Sequence, residues 1–279
     1  MRATANRHQE RRTRQELIDW MRRLPGCFIA EAERDAMAEI LPDLFGYHLV
    51  QVGELTVADL TQSSRIAHRV TLRVTTSEHE EGLAESGCTA ITNTASLPLA
   101  TASVDVVLLP HVLEYAESPH AVLREVERIL IGDGHLVIIS FNPISLFGLW
   151  RVLLGWRRRA PWVGHYFSGG RIKDWLTLLG FEIVSRRRSY FRPPCRGSEL
   201  NDRLSFLDYL GARLWPYFGA INIIVARKCV IPLTAARAQR RGRVRLVTAG
   251  LAEPSSSVGV ERRDERPGSG RDRIELAAD

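Results

Sequence analysis

The chain reads as an α/β protein built on a doubly wound, mostly parallel sheet. Three observations between Ala90 and Pro143 carry that reading. Val104 to Leu109 is an unbroken apolar run, as expected of a strand buried on both faces. Pro119 is placed to start a helix, along which Ala121, Val122, Val126, Ile129 and Leu130 recur at helical spacing. Gly132-Asp133-Gly134 supplies a tight turn into a second apolar run, His135 to Ser140. A strand, a helix and a strand joined by short connections require parallel neighbours.

The remaining elements follow in order. Residues 1–26 form a basic arm, arginine-rich to Arg23 and broken by Pro25-Gly26. The domain proper is expected over 27–232, with its core over about 45–190. Phe28 to Leu44 alternates apolar and acidic residues at helical period, a helix over the sheet edge that Gly46 ends. Tyr47 to Val52 is the first strand, and a short helix is expected around Val57 to Ser63. His68 to Val74 is the second strand, Glu78 to Gly87 a helix, and Cys88 to Thr92 the third strand. The runs already described are strands four and five.

Ile144 to Trp156 (ISLFGLWRVLLGW) carries apolar residues around Arg151 alone, so it must be covered. A lid or core element, a dimer contact and a membrane-surface contact through 144–156 all satisfy that need. Ser168 is the N-cap of a helix over Arg171 to Leu179, closed by Gly180. Phe181 to Val184 is the sixth strand. An irregular insertion, about 186–216, contains one helix, Leu200 to Leu214, and Ile221 to Arg227 is the seventh strand. From Thr234 hydrophobic periodicity is gone, and 233–279 is expected to be a disordered tail.

Composition narrows the function. The four cysteines, 27, 88, 195 and 229, form no C-x-x-C pair, so neither a metal site nor a disulfide framework is expected. No apolar run reaches the roughly 18 residues of a membrane span, and no apolar signal core follows the N-terminal arginines. A cytoplasmic protein is expected. The net charge is +6, and 36 of the 38 basic residues are arginine. Such a skew more often reflects a GC-rich genome than a binding task. Nucleic-acid binding is open but not favoured, because basic and aromatic residues do not interleave.

One register holds Asn93, Leu97-Pro98, Ser103-Val104-Asp105, Leu113-Glu114-Tyr115, Pro119 and Gly132-Asp133-Gly134. It resembles the class I S-adenosylmethionine-dependent methyltransferases, in the group that includes small-molecule and quinone methylases. That family's run has an acid, Leu-Pro, Ser-Phe-Asp, Leu-Glu-His, a Pro and Pro-Gly-Gly. Phe141 to Ser145 and Ala226-Arg227-Lys228 further resemble a bacterial branch of it. The resemblance implies a Rossmann-like sheet of seven strands, the last antiparallel. It also implies S-adenosyl-L-methionine as cofactor and methyl transfer to a small-molecule acceptor.

The site residues follow from that resemblance. The family's glycine-rich turn after strand one is represented by Gln51-Val52-Gly53-Glu54-Leu55-Thr56-Val57, which keeps a single glycine. Gln51 stands where the family has a carboxylate, and Leu55 and Val57 where it has glycines. Glu78 is the nearest acid to the end of strand two. Asn93, Thr94 and Leu97 are placed to meet the adenine, and Pro110 ends strand four beside the cofactor. The acceptor belongs beyond the carboxyl ends of strands four and five. His111 is the candidate general base there, and Glu114, Tyr115, Asn142 and Tyr166 are candidate substrate contacts, with His165 and Phe141 close by. Asp105 reads as structural. Bland roles stay open beside these: a turn glycine at Gly53, a loop cap at Asn93, a turn residue at Glu114, a polar loop histidine at His111. The eroded turn also leaves open a non-catalytic binding or regulatory module, and the arginine-rich ends an RNA methyltransferase.

Overall fold

The computed structural model describes residues 13–53, 59–73, 89–91, 94–154, 161–193, 197, 199 and 203–230. Helix α1 (13–21) is followed by α2 (Gly26–Ile40) and a 3-10 turn, Leu41–Asp43. Next come β1 (His48–Val52), β2 (His68–Arg73), β3 (Thr89–Ile91) and β4 (Val104–Pro110), then α3 (Pro119–Ile129) and β5 (Leu130–Phe141). The described chain ends with α4 (Leu146–Leu154), α5 (Gly169–Leu178), β6 (Phe181–Ser189), α6 (Phe206–Leu214) and β7 (Ile221–Lys228).

The strands form one seven-stranded sheet in the order β3-β2-β1-β4-β5-β7-β6. The pairs from β3 across to β5 are parallel, and β7 runs antiparallel to both β5 and β6. The order reverses between β1 and β4, which opens a crevice at the carboxyl ends of these strands.

The continuous apolar runs follow from burial on two faces. Leu49, Val106, Leu108, Val137, Ile139, Ile223 and Val225 face α1 and α2, which contribute Leu17, Met21, Ile29, Met37 and Ile40. Val50, Val107, Leu109, Leu136, Ile138 and Ile224 face α3 and α5, which contribute Val122, Val126, Ile129, Ile172 and Leu176. Ser118 caps α3 by accepting from the Ala121 N–H, with Pro119 in the first turn. Ser168 caps α5 in the same way through the Arg171 N–H.

Four differences from the sequence expectations have physical reasons. Residues 13–21 are not a free arm, because Leu17 and Met21 are fully buried in the core. Of the helix expected around Val57 to Ser63, residues 60–63 are turns, and 57 and 58 lie outside the described residues; the Asp59 carboxylate accepts from the backbone and the hydroxyl of Thr61 and so stabilises a turn. Gly132-Asp133-Gly134 does not end a helix-to-strand connection but kinks one long strand, whose pairing with β4 shifts between Val104 and Val106. β6 continues through Arg186, Arg187 and Arg188 to Ser189, within the expected insertion, and pairs with β7 to its end. The helix expected over 78–87 and the tail over 233–279 lie outside the described residues.

Asp105 is structural, as expected from its place at the foot of β4. Its Oδ2 accepts the N–H groups of Tyr47 and His48 at 3.0 and 2.9 Å, tying the entry of β1 to β4. Gly46 allows this approach, since a Cβ there would lie 2.3 Å from the Asp105 Cβ. Asp105→Ala is expected to cost about 1–2 kcal/mol by removing two charge-assisted bonds near the surface. An unchanged urea midpoint for the variant would contradict this.

Candidate active site

The turn after β4 places His111 at the centre of a buried charge cluster. Its backbone is left-handed (φ 50°), a region sparsely used by residues other than glycine. The conformation is held by the His111 N–H donating to Ile139 O at 2.9 Å and by both ring nitrogens. Nδ1 lies 2.7 Å from Glu114 Oε2, and Nε2 lies 2.6 Å from Glu33 Oε1. All three side chains are fully buried by side-chain exposure. Burial alone would depress the imidazole pKa, but the two carboxylates outweigh it and push His111 up to about 10. The ring is therefore an imidazolium at neutral pH, with both nitrogens engaged.

This corrects the general-base expectation for His111. A base needs a free lone pair within reach of the acceptor, and here neither nitrogen offers one. Glu114 is corrected as a substrate contact for the same reason. One oxygen holds His111, and the other accepts the backbone N–H of Phe141, so Glu114 ties the end of β4 to the end of β5. Asn142 is likewise committed. Its Nδ2 donates to Tyr217 O and Gly219 O at 2.8 and 2.9 Å, and its Oδ1 accepts from Ile144 N. It fastens the exit of β5 to the approach of β7.

Tyr115 and Tyr166 flank this cluster. Tyr115 donates to Pro161 O at 3.1 Å, and Tyr166 stacks on Phe141 with ring centroids 5.2 Å apart. Phe141 in turn lies 4.1 Å from the His111 ring centroid. Burial raises both phenol pKa values well above the ordinary range, so both stay protonated.

On the cofactor side, Gly53 has φ 89° and donates its N–H to Leu72 O at 2.8 Å. A Cβ on it would lie 3.2 Å from both Arg14 Nη1 and Val112 Cγ2. The turn after β1, the residue after His111 and the start of α1 therefore meet at one place. Gln51 donates from Nε2 to Gly53 O at 3.1 Å, while its buried Oε1 has no hydrogen-bond partner among the described residues. Pro110 is buried at the end of β4, and Thr94 and Leu97 are buried in the loop after β3. Leu97 is fixed by α3, its N–H donating to Glu125 Oε1 at 2.8 Å. Asn93 lies outside the described residues, as do 54–57 and Glu78.

Sequence reasoning missed Glu33 and Arg14. Glu33 had a legible signal, since it falls on the same helical stripe as Ile29, Ala30, Ala36, Met37 and Ile40. An acid on a buried stripe demands a partner. Arg14 carried none, being one of many arginines in the first 23 residues.

The methyltransferase domain family model matches residues 48–138. The uncharacterised protein YafS of Escherichia coli strain K12 is 34% identical over 193 residues, covering 68% of this chain and 72% of its own. A S-adenosylmethionine-dependent methyltransferase of Thermotoga maritima superposes with a TM-score of 0.54 at 18% identity, over 72% of this chain and 89% of that one. This chain belongs to the class I S-adenosylmethionine-dependent methyltransferases. Its reaction is methyl transfer and its cofactor is S-adenosyl-L-methionine.

The residues present fit that group. Gly53 takes a left-handed turn whose missing Cβ is replaced by the close approach of Arg14 and Val112. Gln51 Oε1 and Glu33 Oε2, buried acceptor oxygens without a hydrogen bond among the described residues, lie beside the turns after β1 and β4. A cofactor carrying an ammonium and a sulfonium suits such acceptors.

Proposed function

We propose that the chain transfers the methyl group to a small molecule with an apolar body. The observation that carries this reading is an apolar cavity of about 300 Å³ lined by Leu146, Phe191, Leu207, Gly211, Trp215 and Phe218. Leu146 lies just beyond β5 and Phe218 just before β7, whose first residue pairs with the last of β5. The cavity thus borders the carboxyl end of the parallel strands, where open α/β sheets receive ligands. Its size suits a small organic body.

Bound S-adenosylmethionine supplies an electrophilic methyl group on a sulfonium. In this reading Gly53, Gln51, Asn93, Thr94, Leu97 and Pro110 hold it, and Tyr115 and Tyr166 wall the acceptor side. The buried imidazolium of His111 fixes the ends of β4 and β5 through its carboxylate partners. These residues contribute alignment and exclusion of water. The acceptor must bring a nucleophile that needs no base from His111.

Asn93→Ala is expected to weaken binding of S-adenosylhomocysteine by about 1–3 kcal/mol if the side chain takes the adenine. Isothermal titration of wild type and variant reads this directly. An unchanged affinity on a folded variant removes Asn93 from the site. Silence of folded wild type toward both cofactor and product would defeat the whole reading. Once binding is established, turnover of apolar amines, phenols and thiols identifies the acceptor class.

A further inference from the structure

We infer that the face formed by α4, α6 and the segment leading into β7 is a docking surface for an anionic lipid bilayer. This rests on exposure and charge, independently of the methyl acceptor.

Of the large apolar side chains left exposed, an unusual share lies in two short segments. Ile144, Leu149 and Trp150 are 58, 57 and 44% exposed, and Phe206, Tyr209 and Tyr217 are 57, 80 and 66% exposed. Leu146 belongs to one segment and Leu207, Trp215 and Phe218 to the other, and these four line one cavity, so the segments form a single face. An exposed apolar patch of this kind marks a contact site.

Charge selects the occupant. Among the described residues, 142–154 carry one arginine and no acid, and 186–193, 197, 199 and 203–218 carry six arginines against two acids. Among the acids, Asp208 is already bound to Arg192 at 2.7 Å. Arg203 and Arg213 are exposed on the α6 side. Tryptophan and tyrosine with arginine at the rim of an aliphatic patch is the composition of a headgroup-level contact. The basic residues supply the attraction to anionic lipid. Among the described residues no helix is long and apolar enough to cross a membrane, so the contact is peripheral.

The test uses the full chain and co-sedimentation with vesicles of phosphatidylcholine, with and without phosphatidylglycerol. Wild type should pellet with the mixed vesicles, less with phosphatidylcholine alone, and less again at high salt. Leu149→Ser/Trp150→Ser/Tyr209→Ser touches none of the cavity-lining residues and should lower partitioning by about tenfold or more. Arg203→Glu/Arg213→Glu keeps the apolar patch and should remove the preference for anionic lipid. Circular dichroism and melting confirm that both variants are folded. Wild type left in the supernatant with both vesicles would overturn the proposal, as would folded variants that pellet like wild type. Capture by RNA without capture by vesicles would also overturn it, as would self-association that the serine variant abolishes while vesicles retain nothing.

Discussion

His111→Ala should destabilise the folded protein by about 3–5 kcal/mol, the cost of leaving buried carboxylates without their cation. The side chain has no exposure and sits between Glu33 and Glu114 at hydrogen-bond distance on both nitrogens. The same pair predicts a pH dependence with a definite sign. The folded pKa is raised from 6.5 to about 10, so the folded state holds the proton more tightly than the unfolded chain. The stabilisation is therefore complete below about pH 6.5 and is lost as pH rises toward 10. Other groups titrate in that range, so the informative quantity is the difference between wild type and variant. Thermal or urea melts at several pH values should show that difference shrinking as the solution is made alkaline. A constant difference, or one growing with pH, would rule out a buried imidazolium.

Gly53→Val should reduce cofactor affinity by at least about tenfold, equivalent to roughly 1.4 kcal/mol. A β-branched side chain is strained at φ 89°. Its Cβ would also press on Arg14 and Val112 at 3.2 Å. The turn must then shift, and with it the backbone proposed to meet the methionyl end. Isothermal titration with S-adenosylhomocysteine reads the loss, and a melt separates it from unfolding. A folded variant that binds like wild type would show Gly53 to be a turn glycine only. Asn93→Ala is the complementary probe, since it leaves this backbone alone and tests the adenine side.

The centre of the fold was legible because its signals are local. Continuous apolar runs marked β4 and β5, and Pro119 marked the start of α3. β6 was legible only in its first half. In its second half Arg186 and Arg187 are exposed side by side and Arg188 is partly covered, so at the sheet edge the alternation is lost and the run resembles a polar loop. The site was legible in position but not in role. His111 does follow β4, yet its state depends on Glu33, 78 residues earlier, as well as on nearby Glu114. Asn142 stands at the end of β5 as expected, but carbonyls of Tyr217 and Gly219, far along the chain, consume its amide. Pairings across such separations leave no periodicity to detect.

The position of β7 also bears on how the protein is made. Ile221 to Ala226 is buried throughout, and the strand lies between β5 and β6. At its last residue, Lys228 bonds to Glu127 and to Leu130 O, clasping the end of α3 and the start of β5. During synthesis β5 and β6 therefore emerge with open hydrogen-bonding edges that only a later segment can fill. The nascent chain carries a gap in its sheet until residue 228 has cleared the ribosome, and one strand then closes both edges at once.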